Sequence, residues 1–444
     1  MKRGDESRTE VERHAGPRMT RRTLFSLGCA VASGLLTACA EETTGSNPGS
    51  PTGPTGTETE GSPQSLATAT PAVSVRGEPV RIGMLVALSG PFASLGENLV
   101  RGLQLALEEV DERVGDRAIV VQVEDTAGNP DQALTKARQL VERARVPILA
   151  GLTLSSEAGA LRDYVVAAGI PLIVSNAGLP GLTRDPKLRS PLIFRVSFAN
   201  GQHEAPFGRY AYERLGNHRV VLTGLDYSAG HDKVGAFGRH FEAAGGRIVG
   251  EVFAPVDTAD YGPYLQRIRQ YDADAVFAFY SGVDAVRFIQ QYAEFGLLER
   301  LPLFGSGDTV DESILAEQGE AALGFVSSSH YAVLYDSPEN RQLVQRCHER
   351  FGVGANQFVY QGYLTGRVIT EALRAVDGAA EDRARFLTAL RAVEFTGPTG
   401  RFRFHPESQG AVITVFVRRV ERLPNGELGN VVLDRVRDVD DVWF

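Results

Sequence analysis

The sequence is poor in the residues and motifs that mark metal, redox and hydrolytic enzymes. It has three cysteines among 444 residues, no C-x-x-C pair and no pair at zinc-ligand spacing. The G-x-S-x-G, H-E-x-x-H, G-x-G-x-x-G and P-loop motifs are absent, and Gly305-Ser306-Gly307-Asp308 lacks the spacing of a dinucleotide loop. The scattered His203, His218 and His231 are expected to be solvated. The sequence therefore predicts no metal, no cofactor and no enzyme activity.

The chain also has no net positive charge outside its N-terminal residues. The net charge is −9, although residues 1–38 hold seven Lys/Arg against four Asp/Glu, so the rest of the chain is more acidic still. This negative charge argues against a nucleic-acid-binding protein, which needs a positively charged surface for the phosphate backbone. The N-terminal apolar stretch at 24–36 is too short to span a bilayer and has the length of a signal-peptide core.

Two short signals flank this stretch. Arg21-Arg22 fits either a twin-arginine export signal or the positive region of an ordinary secretory signal, and both alternatives stay open. Leu36-Thr37-Ala38-Cys39 resembles a bacterial lipobox, which implies that Cys39 is lipidated after cleavage. Residues 40–78 are rich in Ser, Thr, Gly and Pro and cannot bury enough apolar surface to fold. We therefore expect a signal at 1–39, a flexible tether at 40–78 and an extracytoplasmic protein anchored to the cell membrane by lipid.

The body alternates between strand and helix patterns. Val80–Leu88 predicts a strand, and apolar residues at 99, 103, 107 and 110 predict one face of a helix. This cycle continues to Val174 and restarts after Phe194. Near-continuous apolar strands between helices indicate parallel sheets covered on both faces, arranged here as two lobes. Helices at 338–351 and 357–376 and a hairpin around Pro424-Asn425-Gly426 complete the prediction.

Several long stretches carry a family resemblance. RIGMLVALSGPFASLGENLVRGLQLALEEV, GLTLSSEAGALRDYVVAAGIPLIVSNAG and ADAVFAFYSGVDAVRFIQQYAEFGL resemble the leucine/isoleucine/valine-binding protein family, over nearly all of 80–415. The resemblance implies an α/β, type I periplasmic-binding-protein fold with two doubly wound parallel-sheet lobes joined by three crossings. Lobe 1 would comprise 79–198 plus 327–400, and lobe 2 would comprise 199–326 plus 401–444.

The resemblance also implies a function. The chain is expected to be the substrate-binding lipoprotein of an ABC importer, to work with its permease subunits, and to bind a branched-chain or other hydrophobic amino acid between the lobes. SNAG, FRVSFANGQ and VFAFYSGVDAVRF resemble more closely a branch associated with aromatic carboxylates, so a ligand of that class is the alternative. A sensory receptor module, which shares this fold, is an alternative of another class.

Three candidate ligand residues lie in loops after first-lobe strands. Ser155, where a helix begins, matches the family position that holds a ligand carboxylate, although it would also serve as a simple helix cap. Asn176 and Gly178 match the family's second carboxylate-binding pair, or form a tight turn that needs glycine. The amino-acid binders usually have threonine where this chain has Gly178, so one hydroxyl donor is missing.

Three further candidates would contact the rest of the ligand. Asp284 matches the position that pairs with a ligand ammonium, although an acidic residue near a helix start is also favoured by the helix dipole. Leu95 matches a position that is often aromatic and packs on the ligand. Tyr227 is a candidate wall of the second lobe, or an ordinary core aromatic.

Overall fold

The structure is a computed structural model that describes residues 77–442. The predicted export signal, the lipidation site Cys39 and all but the end of the predicted tether lie outside these residues. Within 77–442, no helix combines the length and apolar character needed to cross a membrane.

The first lobe is built around a six-stranded sheet of strand order β2-β3-β1-β4-β5-β6. Only β2, which is antiparallel to β3, departs from the parallel arrangement. Its strands are β1 (Val80–Val86), β2 (Arg113–Val114), β3 (Arg117–Asp125), β4 (Ile148–Gly151), β5 (Leu172–Val174) and β6 (Ile193–Arg195). The helices between them are α1 (Ala93–Glu108), α2 (Pro130–Arg138), which continues as a π-helical turn (Gln139–Arg143), α3 (Ser155–Ala168) and α4 (Gly181–Arg184).

The second lobe repeats this plan. Its five parallel strands are β7 (Arg219–Leu225), β8 (Arg247–Ala254), β9 (Ala275–Phe279), β10 (Leu303–Ser306) and β11 (Val326–Ser329). The helices are α5 (Glu204–Glu213), α6 (Ser228–Ala243), α7 (Gly262–Ile268), α8 (Val283–Glu294) and α9 (Leu315–Gln318), with 3₁₀ turns at Gly307–Val310 and Gly319–Ala322. The predicted alternation of strand and helix is therefore confirmed in both lobes.

After β11 the chain returns to the first lobe. There it forms α10 (Pro338–Phe351), α11 (Gln357–Ala375), α12 (Arg383–Arg391) and a two-stranded sheet of β12 (Glu394–Gly397) and β13 (Gly400–Arg403). Helix α11 packs closely on α1 because both helices have glycines at the contact: a Cβ on Gly102 would lie 2.6 Å from the backbone nitrogen of Tyr363.

The chain then crosses a third time to complete the second sheet. Strands β14 (Ile413–Arg422) and β15 (Leu428–Val439) form the predicted antiparallel hairpin, and β14 pairs with β11. The second sheet thus has the order β15-β14-β11-β10-β9-β7-β8. The predicted lobe boundary at 326/327 falls inside β11, so the second crossing begins only after Ser329. Two parallel-sheet lobes joined by three crossings are as the sequence predicts.

Helix starts in this fold are fixed by local sequence. Asn129 accepts hydrogen bonds from the backbone N–H groups of Asp131 and Gln132 at the start of α2, with Pro130 as the first helical residue. Ser337 accepts one from Asn340 at the start of α10, again before a proline. These caps fix where the two first-lobe helices begin.

Candidate ligand-binding cleft

A cleft lies between the lobes, where the strands of both sheets present their carboxyl ends. In open parallel sheets this edge is the usual place for a ligand. The cavity and its mouth together measure about 370 Å³. Both lobes and the first crossing contribute to its lining, which consists of Leu95, Thr153, Leu154, Ser155, Asn176, Gly178, Phe198, Asn200, Tyr227, Ala229, Lys233, Phe279, Ser281 and Asp308. Five of the six predicted ligand residues are in this set.

Ser155 is the first residue of α3 and is 3% exposed. The N-cap is Leu154, which makes no side-chain cap, and the Ser155 hydroxyl instead accepts a hydrogen bond of 3.1 Å from Asn200. The carboxylate of Glu157 binds the N–H groups of Thr153 and Leu154 at 3.0 and 2.7 Å, and burial raises its pKa above the ordinary value. The first N–H groups of a helix have no intrahelical partner, so those of α3 point towards the cleft side of this turn.

Asn176 and Gly178 follow β5. The side-chain amide of Asn176 donates to the carbonyl of Thr153 at 2.6 Å, while its Oδ1 atom is buried and has no hydrogen-bond partner among the described residues. A Cβ on Gly178 would overlap the side-chain oxygen of Asn200 and lie 2.8 Å from its Cγ atom. The side-chain oxygen of Asn200 therefore fills the space that a threonine at 178 would need, while its Nδ2 atom donates to Ser155 Oγ and to Asp232 Oδ2, both at 3.1 Å.

The apolar walls come from both lobes. Leu95 is buried at 4% exposure on the first-lobe side. On the second-lobe side, Tyr227 is half-buried, with its ring centroid 6.2 Å from that of Phe279 and 6.3 Å from that of Phe92. Loss of solvent around its hydroxyl raises the pKa of Tyr227 above the ordinary value. Phe198, Tyr227 and Phe279 thus add three aromatic side chains to a lining that is otherwise aliphatic and polar.

Asp284 is the predicted residue that the structure does not bring into the cleft. It lies in the first turn of α8 and is 1% exposed. Its two carboxylate oxygens accept hydrogen bonds of 2.8 Å, one from the backbone N–H of Asp257 and one from the hydroxyl of Tyr261. Both contacts lie within the second lobe, so this carboxylate tethers the loop before α7 to the start of α8.

A buried charged cluster at the wall of the cleft was not predicted. Lys233 of α6 is 2% exposed, and its Nζ atom lies 2.5 Å from Oδ2 of Asp308. Burial opposes ionisation of Asp308, but the nearby ammonium outweighs this effect and lowers the pKa of Asp308 to about 2. Lys233 looks like a surface residue of an amphipathic helix, and Asp308 stands in a glycine-rich turn. The pair is recognised only in the structure, where α6 lies close to the end of β10.

His203 corrects another expectation. His218 and His231 are exposed as predicted, but His203 is fully buried beside Glu204, with its Nδ1 atom 3.3 Å from Oε1 of that carboxylate. Burial, and then the charge of Lys233, lowers the pKa of His203 well below its ordinary value. The prediction failed because the residue belongs to the first crossing, which is enclosed by both lobes.

His203, Glu204 and Asp308 present ligand atoms within 4.8 Å of one another, a spacing that a metal ion would accept. The ammonium of Lys233 already lies among them, 3.5 Å from both His203 Nε2 and Glu204 Oε1. The cluster therefore has its own cation. A second positive charge at this place would be repelled by the first.

The fold and the cleft define a two-lobed protein that binds a small molecule between its lobes. A model of the family described as periplasmic binding protein matches residues 79–427. The Leu/Ile/Val-binding protein homolog 6 of Brucella melitensis biotype 1 is 32% identical, over 79% of this chain and 90% of that protein. The chain belongs to the periplasmic binding protein family.

Solved structures agree with this assignment. An ABC transporter substrate-binding protein from Sphaerobacter thermophilus is 54% identical, with a TM-score of 0.79 over 82% of this chain and 100% of that one. A solute-binding protein of an ABC transporter from Rhodopseudomonas palustris BisB5, in complex with 3,4-dihydroxybenzoic acid, is 29% identical, with a TM-score of 0.78 over 82% and 99% of the two chains. The chain is thus an extracytoplasmic substrate-binding protein of an ABC transporter and not an enzyme.

Proposed function

We propose that this protein captures an aromatic carboxylate for an ABC importer. One observation carries the choice of ligand: among the described residues that line the cleft, no carboxylate is free to pair with a ligand ammonium. Among the described lining residues, Asp308 is the only carboxylate, and it is ion-paired with Lys233. Asp284, the expected ammonium partner, is bonded to Asp257 and Tyr261 instead. An ammonium buried without a partner costs several kcal/mol, so an amino acid is disfavoured.

The other features of the cleft fit an aromatic acid. The start of α3 with Ser155 and the positive charge of Lys233 offer donors to oxygen atoms. Tyr227, Phe279 and Phe198 offer flat apolar surfaces against which a ring can pack. The Rhodopseudomonas relative with 3,4-dihydroxybenzoic acid supports this ligand class.

A hydrophobic amino acid, the ligand first expected from the sequence, remains the second candidate. The names of the Leu/Ile/Val-binding relatives favour it. The unpartnered Oδ1 atom of Asn176 would accept one hydrogen bond from an ammonium. A neutral amide oxygen compensates a positive charge less well than a carboxylate, which is why we rank this ligand second.

We further propose that the receptor is lipidated on Cys39 and delivers its ligand to permease subunits while held by the 40–78 tether. The lipobox-like sequence that ends at Cys39 supports the anchor. Closure of the two lobes around the ligand would give the permease a surface that differs from that of the open protein. A sensory receptor module would use the same closure, but the similarity to ABC transporter substrate-binding proteins favours transport.

A thermal-shift screen tests the ligand class. Benzoate, hydroxybenzoates, phenylacetate, leucine, isoleucine, valine and phenylalanine would be added one at a time to the full-length protein. A ligand present at 100 times its Kd adds about 2.7 kcal/mol to the free energy of unfolding, which raises Tm measurably. We expect this increase with the aromatic acids. An increase with the aliphatic amino acids alone would overturn the proposal.

A further inference from the structure

Lys233 is a buried cation that lines the cleft. Its ammonium lies 4.3 Å from the ring centroid of Phe198 and 4.9 Å from that of Phe279. At these distances each ring face attracts a positive charge. The two rings and Asp308 thus hold the ammonium in a fixed position at the wall of the cavity, away from bulk solvent.

Asp308 is fixed in the same way. Its Oδ2 atom accepts hydrogen bonds from Lys233 at 2.5 Å and from Ser306 at 2.9 Å, and its Oδ1 atom accepts one of 3.2 Å from Gln357 of the first lobe. Burial raises the pKa of the neighbouring Glu204 and lowers that of His203, so both neighbours are shifted towards their neutral forms. Lys233 and Asp308 are the members of this cluster that line the cleft, where they place a donor and an acceptor side by side.

The chemistry of this pair selects among ligand groups. A ligand ammonium would be repelled by Lys233, and a second carboxylate would be repelled by Asp308. An apolar group would form no hydrogen bond with either member of the pair. A hydroxyl group both accepts and donates, so it can bind the ammonium through its oxygen and the carboxylate through its hydrogen.

We propose that the Lys233–Asp308 pair is a hydroxyl-binding subsite, which makes the cleft selective for a hydroxylated aromatic carboxylate. The carboxylate of such a ligand lies at the start of α3 near Ser155, and its ring hydroxyl lies at the pair. This inference rests on the proposed function and narrows it to one class of aromatic acid.

Calorimetric titration of the wild-type protein with a matched ligand series tests the inference without any variant. The series consists of benzoate, 3- and 4-hydroxybenzoate, and 3- and 4-methylbenzoate, in which the methyl group replaces the hydroxyl at similar size. The better hydroxybenzoate should bind about tenfold more tightly than benzoate, as expected for a hydrogen bond to a charged group. The methyl compounds should show no such gain. Equal Kd values for hydroxy- and methylbenzoate of the same substitution pattern would overturn the inference.

Substitution of Lys233 assigns the effect to this residue. Lys233→Met keeps an unbranched side chain that is one atom shorter and removes the charge and the donors, so the preference for hydroxybenzoate over benzoate should fall to within about threefold. Lys136→Met is the matched control, because Lys136 also pairs with a carboxylate, Glu124, at 2.9 Å outside the cleft, and the preference should persist. If Lys233→Met does not fold, the neutral pair Lys233→Met/Asp308→Asn replaces it.

Different outcomes contradict the hydroxyl subsite and the proposed function. Binding of the benzoates without a hydroxyl preference, or with a preference that survives Lys233→Met, contradicts the hydroxyl subsite and leaves the proposed function standing. Binding of leucine or phenylalanine with no binding of any benzoate contradicts the proposed function itself.

Discussion

The substitution Asp284→Asn separates a structural carboxylate from a ligand-binding one. Asp284 accepts one hydrogen bond of 2.8 Å through each carboxylate oxygen, from Asp257 N–H and from the Tyr261 hydroxyl. An asparagine keeps one acceptor for the backbone N–H, and its amide group can donate to the Tyr261 oxygen after the hydroxyl rotates. The cost is the difference between charged and neutral hydrogen bonds plus a weaker interaction with the dipole of α8. We expect the free energy of unfolding to fall by about 1–3 kcal/mol.

Ligand affinity should respond differently. Because Asp284 is not among the residues that line the cleft, Asp284→Asn should leave the Kd for an aromatic acid within about threefold of wild type. Ser155→Ala is the contrasting variant: it removes a hydroxyl that lines the cleft and should weaken binding by about 1–3 kcal/mol, with a smaller effect on the protein without ligand. Urea unfolding gives the free energy of unfolding of each variant, and calorimetric titration gives its Kd for the aromatic acid. A tenfold or greater loss of affinity in Asp284→Asn, with unchanged stability, would refute this reasoning.

Three other predictions follow from the site, the first crossing and the N-terminal segment. Gly178→Ala should displace the amide of Asn200, weaken ligand binding and lower the free energy of unfolding by about 1–3 kcal/mol. If this loss comes from a clash between the new Cβ and Asn200, Gly178→Ala/Asn200→Ala should be more stable than the single variant; equal stability would contradict it. His203 has a lowered pKa, so below about pH 6.5 the unfolded chain binds a proton that the folded state excludes, and stability is lost as the pH falls. His203→Asn should therefore reduce the loss of unfolding free energy between pH 7 and 5.5 by up to about 1.4 kcal/mol per pH unit. Urea unfolding of wild type and variant across this range measures the effect, and equal slopes against pH would argue against it. Cys39→Ala should leave the membrane fraction and keep its signal peptide, whereas a soluble wild-type protein that begins at Met1 would exclude the anchor.

Most of the fold was predictable because its core strands are continuous apolar runs between amphipathic helices. Helices α10 and α11 were predicted to within a residue, since proline, asparagine and glycine mark their ends. Strand β11 was missed for a physical reason. Its sequence, Val326–Ser329, has one apolar residue followed by three serines, and the three serines are buried. The strand is stabilised by its pairing with β10 and β14. Such a strand has no periodic signal of its own.

The residues that line the candidate cleft were predictable where they follow strand ends and not where their placement depends on contacts between distant elements. Ser155 and Gly178 stand in loops whose place at the sheet edge is dictated by the parallel topology. Asp284 shares that pattern, but the helix dipole and the contact with Tyr261 hold it within its own lobe. Lys233 and Asp308 are 75 residues apart, and neither has a local sequence pattern that indicates burial. Their pairing arises from the packing of α6 against the end of β10.

The most direct test of the ligand class is calorimetric titration of the wild-type protein with 4-hydroxybenzoate, L-leucine and L-phenylalanine under one set of conditions. The arrangement of the cleft predicts saturable binding of 4-hydroxybenzoate and no measurable binding of either amino acid. The described residues that line the cleft include the ammonium of Lys233 and no carboxylate that is free to pair with a ligand ammonium. Saturable binding of leucine or phenylalanine, with no heat from 4-hydroxybenzoate, would contradict the account.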